Sequence, residues 1–150
     1  EIRDLASGAL RATVATPSSD GYGGYPAARF SPDGRWLVVG HANRVTFYDT
    51  ATGQADHGEQ VRNSTFALVY APNGATVASA HPLGDIRQWD AASAAPRTTI
   101  MLASGYASYL AYSPDGATLA VATGRQVLLY DAATGGQQRA LRRKAPGWPF

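Results

Sequence analysis

The amino-acid sequence predicts an all-β protein built from repeated units of four short strands. Every apolar run is four to six residues long and is bounded by Gly, Pro, Asn or Asp, which suits strands rather than helices. The 16 Gly and 9 Pro among 150 residues require frequent turns. A third observation is a pattern that recurs along the chain at intervals of 40 and 42 residues, as repeat architectures do.

The repeat is visible in three segments that align almost without gaps. They are FSPDGRWLVVGHANRVTFYDTATGQ from Phe30, YAPNGATVASAHPLGDIRQWDAASA from Tyr70 and YSPDGATLAVATGRQVLLYDAATGG from Tyr112. An Asp that opens a turn of small residues marks the end of each unit and occurs once more near the start, at spacings of 45, 41 and 41: Asp4, Asp49, Asp90 and Asp131. The chain therefore contains three full units and the end of a fourth.

Each unit is expected to form four strands joined by tight turns. The first strand ends at an aromatic residue before Pro-Asp-Gly or Pro-Asn-Gly, where Pro suits the second position of a type I turn and Gly closes it. The second strand is a nearly continuous apolar run, such as Trp36 to Val39, which fits a strand covered on both faces. The third ends on an aromatic residue and Asp, and a more polar fourth strand follows.

The unit boundaries follow from these markers. The sequence predicts a partial unit over residues 1–16, complete units over 17–57, 58–101 and 102–144, and a short tail over 145–150. All belong to a single segment of one architecture, because the same turn chemistry recurs in each unit.

This pattern resembles the WD-repeat family. Gln88-Trp89-Asp90 carries the literal Trp-Asp pair, and Tyr48 and Tyr130 stand in place of Trp in the other complete units. The resemblance implies β-propeller blades of four antiparallel strands, three complete and one partial. The family's Gly-His pair is absent, so its buried His-to-Asp network is not expected. Propellers of the Tol-system type and of the YVTN type share parts of the motif and remain alternatives.

Three blades and part of a fourth are too few to close a ring, because propellers typically have about four to eight. We therefore expect a larger ring, in which further propeller blades from the same or another chain cover the end faces. Those faces are expected near Trp36 and Leu128, where exposed apolar surface would otherwise drive association. A longer propeller and a self-associated ring are the two alternatives.

Composition excludes several classes of function. The 13 Lys and Arg against 11 Asp and Glu leave a net charge of +2, which is too small for binding phosphate chains, so no nucleic-acid partner is expected. There is no Cys, and hence no disulfide, thiolate metal site or Cys nucleophile. No apolar stretch approaches the about 18 residues of a membrane span, so no membrane partner is expected, and the cytoplasm is slightly favoured.

The groups that could carry catalysis or bind metal are expected to be structural. Each repeated Asp opens a turn, and its side chain can accept hydrogen bonds from the backbone N–H groups of that turn. A catalytic acid–base pair, by contrast, needs two unlike environments. His41 and His81 occupy equivalent positions in neighbouring units, too far apart to share one metal ion, and no third ligand repeats there. The sequence therefore predicts no catalytic residue, no metal ion and no cofactor.

A binding site is predicted in the loops that lead into the inner strands. These loops open on one face of a propeller, where the resemblance implies that peptides and partner proteins bind. Their aromatic and basic side chains have the composition of interface anchors: Tyr22, Tyr25, Arg29, Arg62, Tyr106 and Tyr109. The alternative is that these tyrosines pack on neighbouring loops and shield the ends of the blades.

The function expected from these features is a non-enzymatic scaffold that binds proteins or peptides. The alternative is a propeller sensor or gating domain of a larger enzyme or signalling protein, such as a peptidase, kinase or NTPase, with its chemistry outside this segment. An open reading frame that continues into a catalytic domain would distinguish the two.

Overall fold

The computed structural model describes residues 1–14, 27–41, 43–61, 64–124 and 126–142. Fourteen strands lie in this part of the chain, and all of its regular structure is β. Among the described residues there is accordingly no helix with the length and hydrophobicity needed to cross a membrane.

The strands form four antiparallel sheets, in which strands that follow each other along the chain are also neighbours in the sheet. The half-blade pairs β1 (Ile2–Arg3) with β2 (Leu10–Ala12). Blade 1 consists of β3 (Ala27–Phe30), β4 (Trp36–His41), β5 (Arg44–Asp49) and β6 (Ala55–Gln60). Blade 2 consists of β7 (Ala67–Tyr70), β8 (Thr76–Ala80), β9 (Asp85–Asp90) and β10 (Pro96–Met101). Blade 3 consists of β11 (Tyr109–Tyr112), β12 (Thr118–Ala122), β13 (Gln126–Asp131) and β14 (Gln137–Arg142).

These sheets confirm the predicted fold class, an all-β arrangement of four-stranded antiparallel blades, three complete and one partial. The inner strands Ala27–Phe30 and Tyr109–Tyr112 end at the aromatic residue before the Pro-Asp-Gly turn, as the sequence predicts. β6 continues to Gln60, which pairs with Arg44, so blade 1 extends past the boundary placed at residue 57.

The tight turn between the first two strands forms as the Pro-Asp-Gly pattern predicts. In blade 1 the Gly34 N–H donates to the Ser31 carbonyl at 2.9 Å, and Gly34 has a φ of +72°, which favours glycine. The Ser31 hydroxyl oxygen accepts from the Trp36 N–H at 2.9 Å. The turn therefore fixes where the second strand begins.

Neighbouring blades pack face to face through two apolar clusters. The cluster between blades 1 and 2 includes Val38, Phe47, Leu68 and Trp89. The cluster between blades 2 and 3 is formed mainly by aliphatic side chains: Ala67, Ala78, Ala80, Ile86, Ile100, Leu102, Ala107, Leu110, Leu119, Val121, Leu128 and Tyr130. Burial of one large apolar side chain contributes about 1.5–3 kcal/mol, so these two interfaces hold the blades together.

The outer faces are expected near Trp36 and Leu128, but neither of these two side chains lies on an outer face itself. Leu128 is buried against blade 2, and the opposite face of blade 3 carries the half-buried Val127 and Leu129 instead. Trp36 also lies on the blade 2 side of blade 1, where it meets the His57 ring edge-on at 5.4 Å. Because these strands are apolar on both faces, the sequence pattern does not show which face each residue takes.

Candidate functional site

The structure places three of the six predicted binding residues. Tyr22, Tyr25 and Arg62 lie outside the described residues. Tyr106 lies in the loop before β11 and is 53% exposed, and Tyr109 begins β11 and is 59% exposed.

Arg29 does not join the two tyrosines. It lies in β3 of blade 1 and is exposed, and its Nη1 donates to the Ala28 carbonyl at 2.8 Å. β7 of blade 2 contacts both β3 and β11, which places Arg29 and Tyr109 on opposite sides of that strand. Arg29 is therefore separated from the tyrosines by the inner strand of a whole blade.

Tyr106 packs against an aromatic residue that sequence analysis did not select. Its ring meets Phe66 edge-on, with centroids 5.5 Å apart and an interplanar angle of 73°. Phe66 is 43% exposed and is held at the start of the inner strand of blade 2, because its N–H donates to the Ala80 carbonyl at 2.8 Å. We call Phe66 and Tyr106 the aromatic patch. Tyr109 is exposed on the opposite face of blade 3, because its neighbour Leu110 in β11 is buried against blade 2.

The loop that carries Tyr106 is anchored at both ends. Leu102 and Ala107 are buried in the cluster between blades 2 and 3, and the Leu102 N–H donates to the Gly84 carbonyl at 3.0 Å. A Cβ at Gly84 would lie 2.6 Å from the Gly105 carbonyl oxygen, so the loop touches the β8–β9 turn closely. The aromatic patch is therefore presented by a fixed loop, with the exposed Leu83 in the adjoining turn.

The repeated Asp residues are turn residues, as predicted. The Asp49 Oδ1 accepts from the Ala51 and Thr52 N–H groups, both at 2.9 Å, and from the Thr52 hydroxyl at 3.1 Å. Asp4, Asp90 and Asp131 make the same set of contacts in their own turns. Four carboxylates in the same structural role do not form an unequal acid–base pair.

Two of these carboxylates also bind an arginine of the following strand. The Arg97 Nη2 lies 2.5 Å from the Asp90 Oδ2, and the Arg11 Nη2 lies 2.6 Å from the Asp4 Oδ2. Hydrogen bonds from Arg97 and Ser93 lower the pKa of Asp90 to about 2. In Asp131 the backbone N–H of Thr134 is the main cause of the lowered pKa.

Replacing Arg97 with Gln should raise the pKa of Asp90 from about 2 toward its ordinary value of 3.8. The rise should be partial, because Ser93 and the Ala92 N–H still donate to the carboxylate. Carboxyl NMR signals followed against pH measure this change. The pKa of Asp131 serves as the control and should stay constant.

The sign of the accompanying stability change follows from the lowered pKa. The ionised Asp90 stabilises the folded protein. This contribution is fully present at pH values above 3.8 and is lost as the pH falls toward 2. The Arg97→Gln chain should therefore be less stable than the wild type at neutral pH and should lose less stability on acidification, because its folded and unfolded pKa values for Asp90 lie closer together. An Asp90 pKa that stays near 2 in this variant would contradict the assignment to Arg97.

His81 is buried in a hydrogen-bonded chain. The Trp89 Nε1 donates to the Ser79 Oγ at 2.7 Å, and the Ser79 Oγ lies 2.9 Å from the His81 Nε2. The His81 Nδ1 lies 3.3 Å from the Ser64 carbonyl oxygen, and this carbonyl can only accept, so Nδ1 carries the proton. Ser79 thus accepts from the buried Trp89 N–H and donates to His81. No group of His, Cys, Asp or Glu in the described part of the chain could hold a metal ion.

His57 connects blades 1 and 2. Its Nε2 lies 3.0 Å from the Ala91 carbonyl oxygen of blade 2, its Nδ1 lies 2.7 Å from the Asp56 Oδ2, and its ring stacks on Phe47 at 4.4 Å. Between blades 2 and 3 the Gln88 Nε2 donates to the equivalent carbonyl, that of Ala132, at 2.9 Å. The Gln88 Oε1 in turn accepts from the Tyr112 hydroxyl at 2.8 Å. These polar side chains hold blade interfaces together.

Comparison with known proteins shows the fold. Solved structures of 1068 chains are similar to this one. One of them, hydrazine synthase of Kuenenia stuttgartiensis, has 23% sequence identity and a TM-score of 0.75. The similarity covers 86% of this chain and 38% of that chain, so this chain spans well under half the length of the matched structure. At this level of identity the likeness shows the blade architecture alone.

No protein-family model matches the chain, and no curated protein sequence matches it. The resemblance of the repeats to the WD-repeat family therefore stays a prediction, beside the alternatives of the Tol-system and YVTN types.

Proposed function

We propose that this chain is a non-enzymatic scaffold that binds proteins or peptides through the aromatic patch. The observation that carries the proposal is the exposure of two aromatic rings in contact, one on an anchored loop and one at the start of a strand. Large aromatic side chains ordinarily contribute stability by burial, so their exposure here favours a partner that completes the burial. The alternative of a sensor or gating domain in a larger enzyme uses the same surface.

The geometry of the patch suits a binding surface. The edge-on contact with Phe66 fixes the Tyr106 ring while leaving about half of the side chain exposed. A rigid tyrosine supplies contact area at a low cost in conformational entropy, and its hydroxyl can bond to a partner's backbone. Asp85 follows the adjoining turn, and it is buried and paired with Arg87 at 2.9 Å. The surface that the aromatic patch offers to a partner is therefore mainly apolar.

The proposal also includes further blades as partners. Phe47 of blade 1 is fully buried by the next blade and Gln88 of blade 2 is also buried, whereas the equivalent Leu129 of blade 3 is half-buried. Leu141 on β14 is exposed as well. Because the same strand positions are covered in the first two blades by a four-stranded sheet, a sheet of the same kind is the occupant that fits this face.

Peptide binding is tested with a displayed library of random peptides selected on the wild-type chain. The affinity of the selected peptides is then measured by fluorescence anisotropy. Tyr106→Ala should weaken binding at least about tenfold, because central aromatic anchors carry most of an interface's energy. Its melting temperature should change little, since the side chain is half exposed in the free protein.

Phe30→Ala is the matched control for this experiment. Phe30 is an aromatic residue of similar exposure, 54%, but it lies at the opposite end of an inner strand, next to the turn. Its replacement should leave peptide affinity unchanged. If Tyr106→Ala destabilises the protein and leaves affinity unchanged, these side chains serve packing and the proposal fails.

A further inference from the structure

A cavity of about 280 Å³ lies at the turn end of the interface between blades 1 and 2, away from the loops that carry the aromatic patch. Its walls come from three turns: the Pro-Asp-Gly turn of blade 1, the Pro-Asn-Gly turn of blade 2 and the turn opened by Asp90. Drug-sized ligands occupy about 300–1,000 Å³, so this cavity suits a smaller group, such as one side chain.

The cavity combines an aromatic ring with a carboxylate that has a free oxygen. Trp36 is half-buried and lines it, as does the exposed Asp33. The Asp33 Oδ1 accepts from the Ser31 hydroxyl and from the Arg35 N–H, whereas its Oδ2 has no hydrogen-bond partner among the described residues. Asp90 also lines the cavity, but both of its oxygens are used, one by its own turn and one by Arg97. Asp33 is therefore the carboxylate that can accept a new donor.

The Trp36 ring already has one cation near it. The guanidinium carbon of Arg35 lies 5.2 Å from the ring centroid, within the range of a cation–π contact. Arg35 is not among the residues that line the cavity. Arg35 nevertheless places a positive charge close to the cavity, and it competes with any cation that enters.

The equivalent groove between blades 2 and 3 has different chemistry. Register pairing with the Asp at the end of the third strand makes Thr76 the equivalent of Trp36, and the Pro-Asn-Gly turn places Asn73 where blade 1 has Asp33. In blade 2 the chain's own Arg97 donates to the Thr76 hydroxyl at 3.3 Å. Blade 1 has Asp56 at the position of Arg97, and this carboxylate binds His57. Blade 1 thus combines the aromatic ring and the acid without a cation from its outer strand.

We propose that this cavity binds a cationic side chain of a partner, a guanidinium or an ammonium group, with the Trp36 ring and the Asp33 Oδ2 as its contacts. A guanidinium fits best, because its planar face can stack on the indole while its N–H groups donate to the carboxylate. The site is distinct from the aromatic patch, which lies at the other end of the blades. Binding at the cavity is therefore independent of binding at the aromatic patch.

The test is an NMR titration of the full chain with small probes of defined charge. N-acetyl-L-arginine amide and N-acetyl-L-lysine amide distinguish the two cationic groups, and the uncharged N-acetyl-L-norleucine amide is the control. We expect saturable shifts of the backbone amides of Gly74, Ala75 and Ala92, with arginine amide binding more tightly than lysine amide. The norleucine amide should not produce them.

Four variants locate the contacts. Trp36→Thr and Asp33→Asn install the residues that blade 2 carries at the equivalent positions, and each should weaken arginine amide at least about fivefold. Arg35→Ala should strengthen it, because a competing positive charge is removed. Thr76→Trp combined with Asn73→Asp should create weak binding in the second groove.

Asp33→Asn keeps the test decisive even if Trp36→Thr unfolds the chain. Asp33 is an exposed turn residue, and Asn73 shows that this turn forms with Asn. The proposal is overturned if shifts do not saturate, if the norleucine amide binds equally well, or if Asp33→Asn leaves the affinity unchanged.

Discussion

Replacing Phe47 with Ala should lower the free energy of unfolding by about 3–5 kcal/mol, the range typical for deleting a buried phenyl ring. The Phe47 side chain is fully buried between blades 1 and 2, and its ring stacks on the His57 imidazole with the centroids 4.4 Å apart. The variant therefore loses apolar burial and also the surface that holds His57 against the Ala91 carbonyl. Urea unfolding followed by tryptophan fluorescence measures the change.

Leu129→Ala is the matched control for Phe47→Ala. Leu129 occupies the equivalent strand position in blade 3, on the face that carries half-buried side chains. Its truncation should cost much less, because less surface is removed from contact. A loss below about 1 kcal/mol for Phe47→Ala would show that this interface contributes little to stability.

The second large effect is expected for Gly53→Ala, which should destabilise the protein by about 2–4 kcal/mol. Gly53 closes the turn opened by Asp49 and has a φ of +73°, a conformation that is strained for Ala. A Cβ there would also lie 2.7 Å from the Thr13 carbonyl oxygen, so the backbone after the half-blade would have to move. Thermal and urea unfolding of the variant measure the loss.

Gly8→Ala separates the two causes. Gly8 closes the equivalent turn of the half-blade with a φ of +70°, and a Cβ at this residue would have no atom within 4 Å beyond its chain neighbours. It should show only the conformational cost, about 1–2 kcal/mol. Equal losses in Gly8→Ala and Gly53→Ala would mean that the contact with Thr13 adds nothing.

The turns and strands could be predicted because their signals are local. Pro-Asp-Gly and Asp-Thr-Ala-Thr-Gly specify turns through φ preferences and through side-chain acceptors for nearby N–H groups, and these contacts are present. One turn departs from the pattern, since Ala94 takes the closing position with a φ of +56°. Ala94 is buried beside Trp89, so packing offsets part of the strain.

The facing of side chains and the polar interior could not be predicted. The outer faces were expected only near Trp36 and Leu128. Their strands are apolar on both sides, so the sequence does not show which residues face outward. The Trp89–Ser79–His81 chain brings together residues of two strands and a turn, and the Gly-His signal that would have indicated such a chain is absent. These side chains meet because β8 pairs with β9.

The candidate site was predicted in part. Loop composition selected Tyr106 and Tyr109, and both are exposed, whereas it did not select Phe66. Its position one residue before the inner strand was the signal that could have selected it, because strand ends meet the loops. Tyr22, Tyr25 and Arg62 stay predictions.

The unequal contacts at the two blade interfaces mean that the blades are not interchangeable parts. Tyr112 of blade 3 faces Gln88 and donates to it, whereas Tyr70 of blade 2 faces blade 1, and its buried hydroxyl has no partner in the described part of the chain. If blade 3 followed blade 1 directly, the Tyr112 hydroxyl would lose the Gln88 side chain as its acceptor. The Ala132 carbonyl would then face His57 in place of Gln88. The order of the blades is thus determined by side-chain contacts that are specific to each interface. A chain with two blades exchanged would have the same composition but a less stable fold.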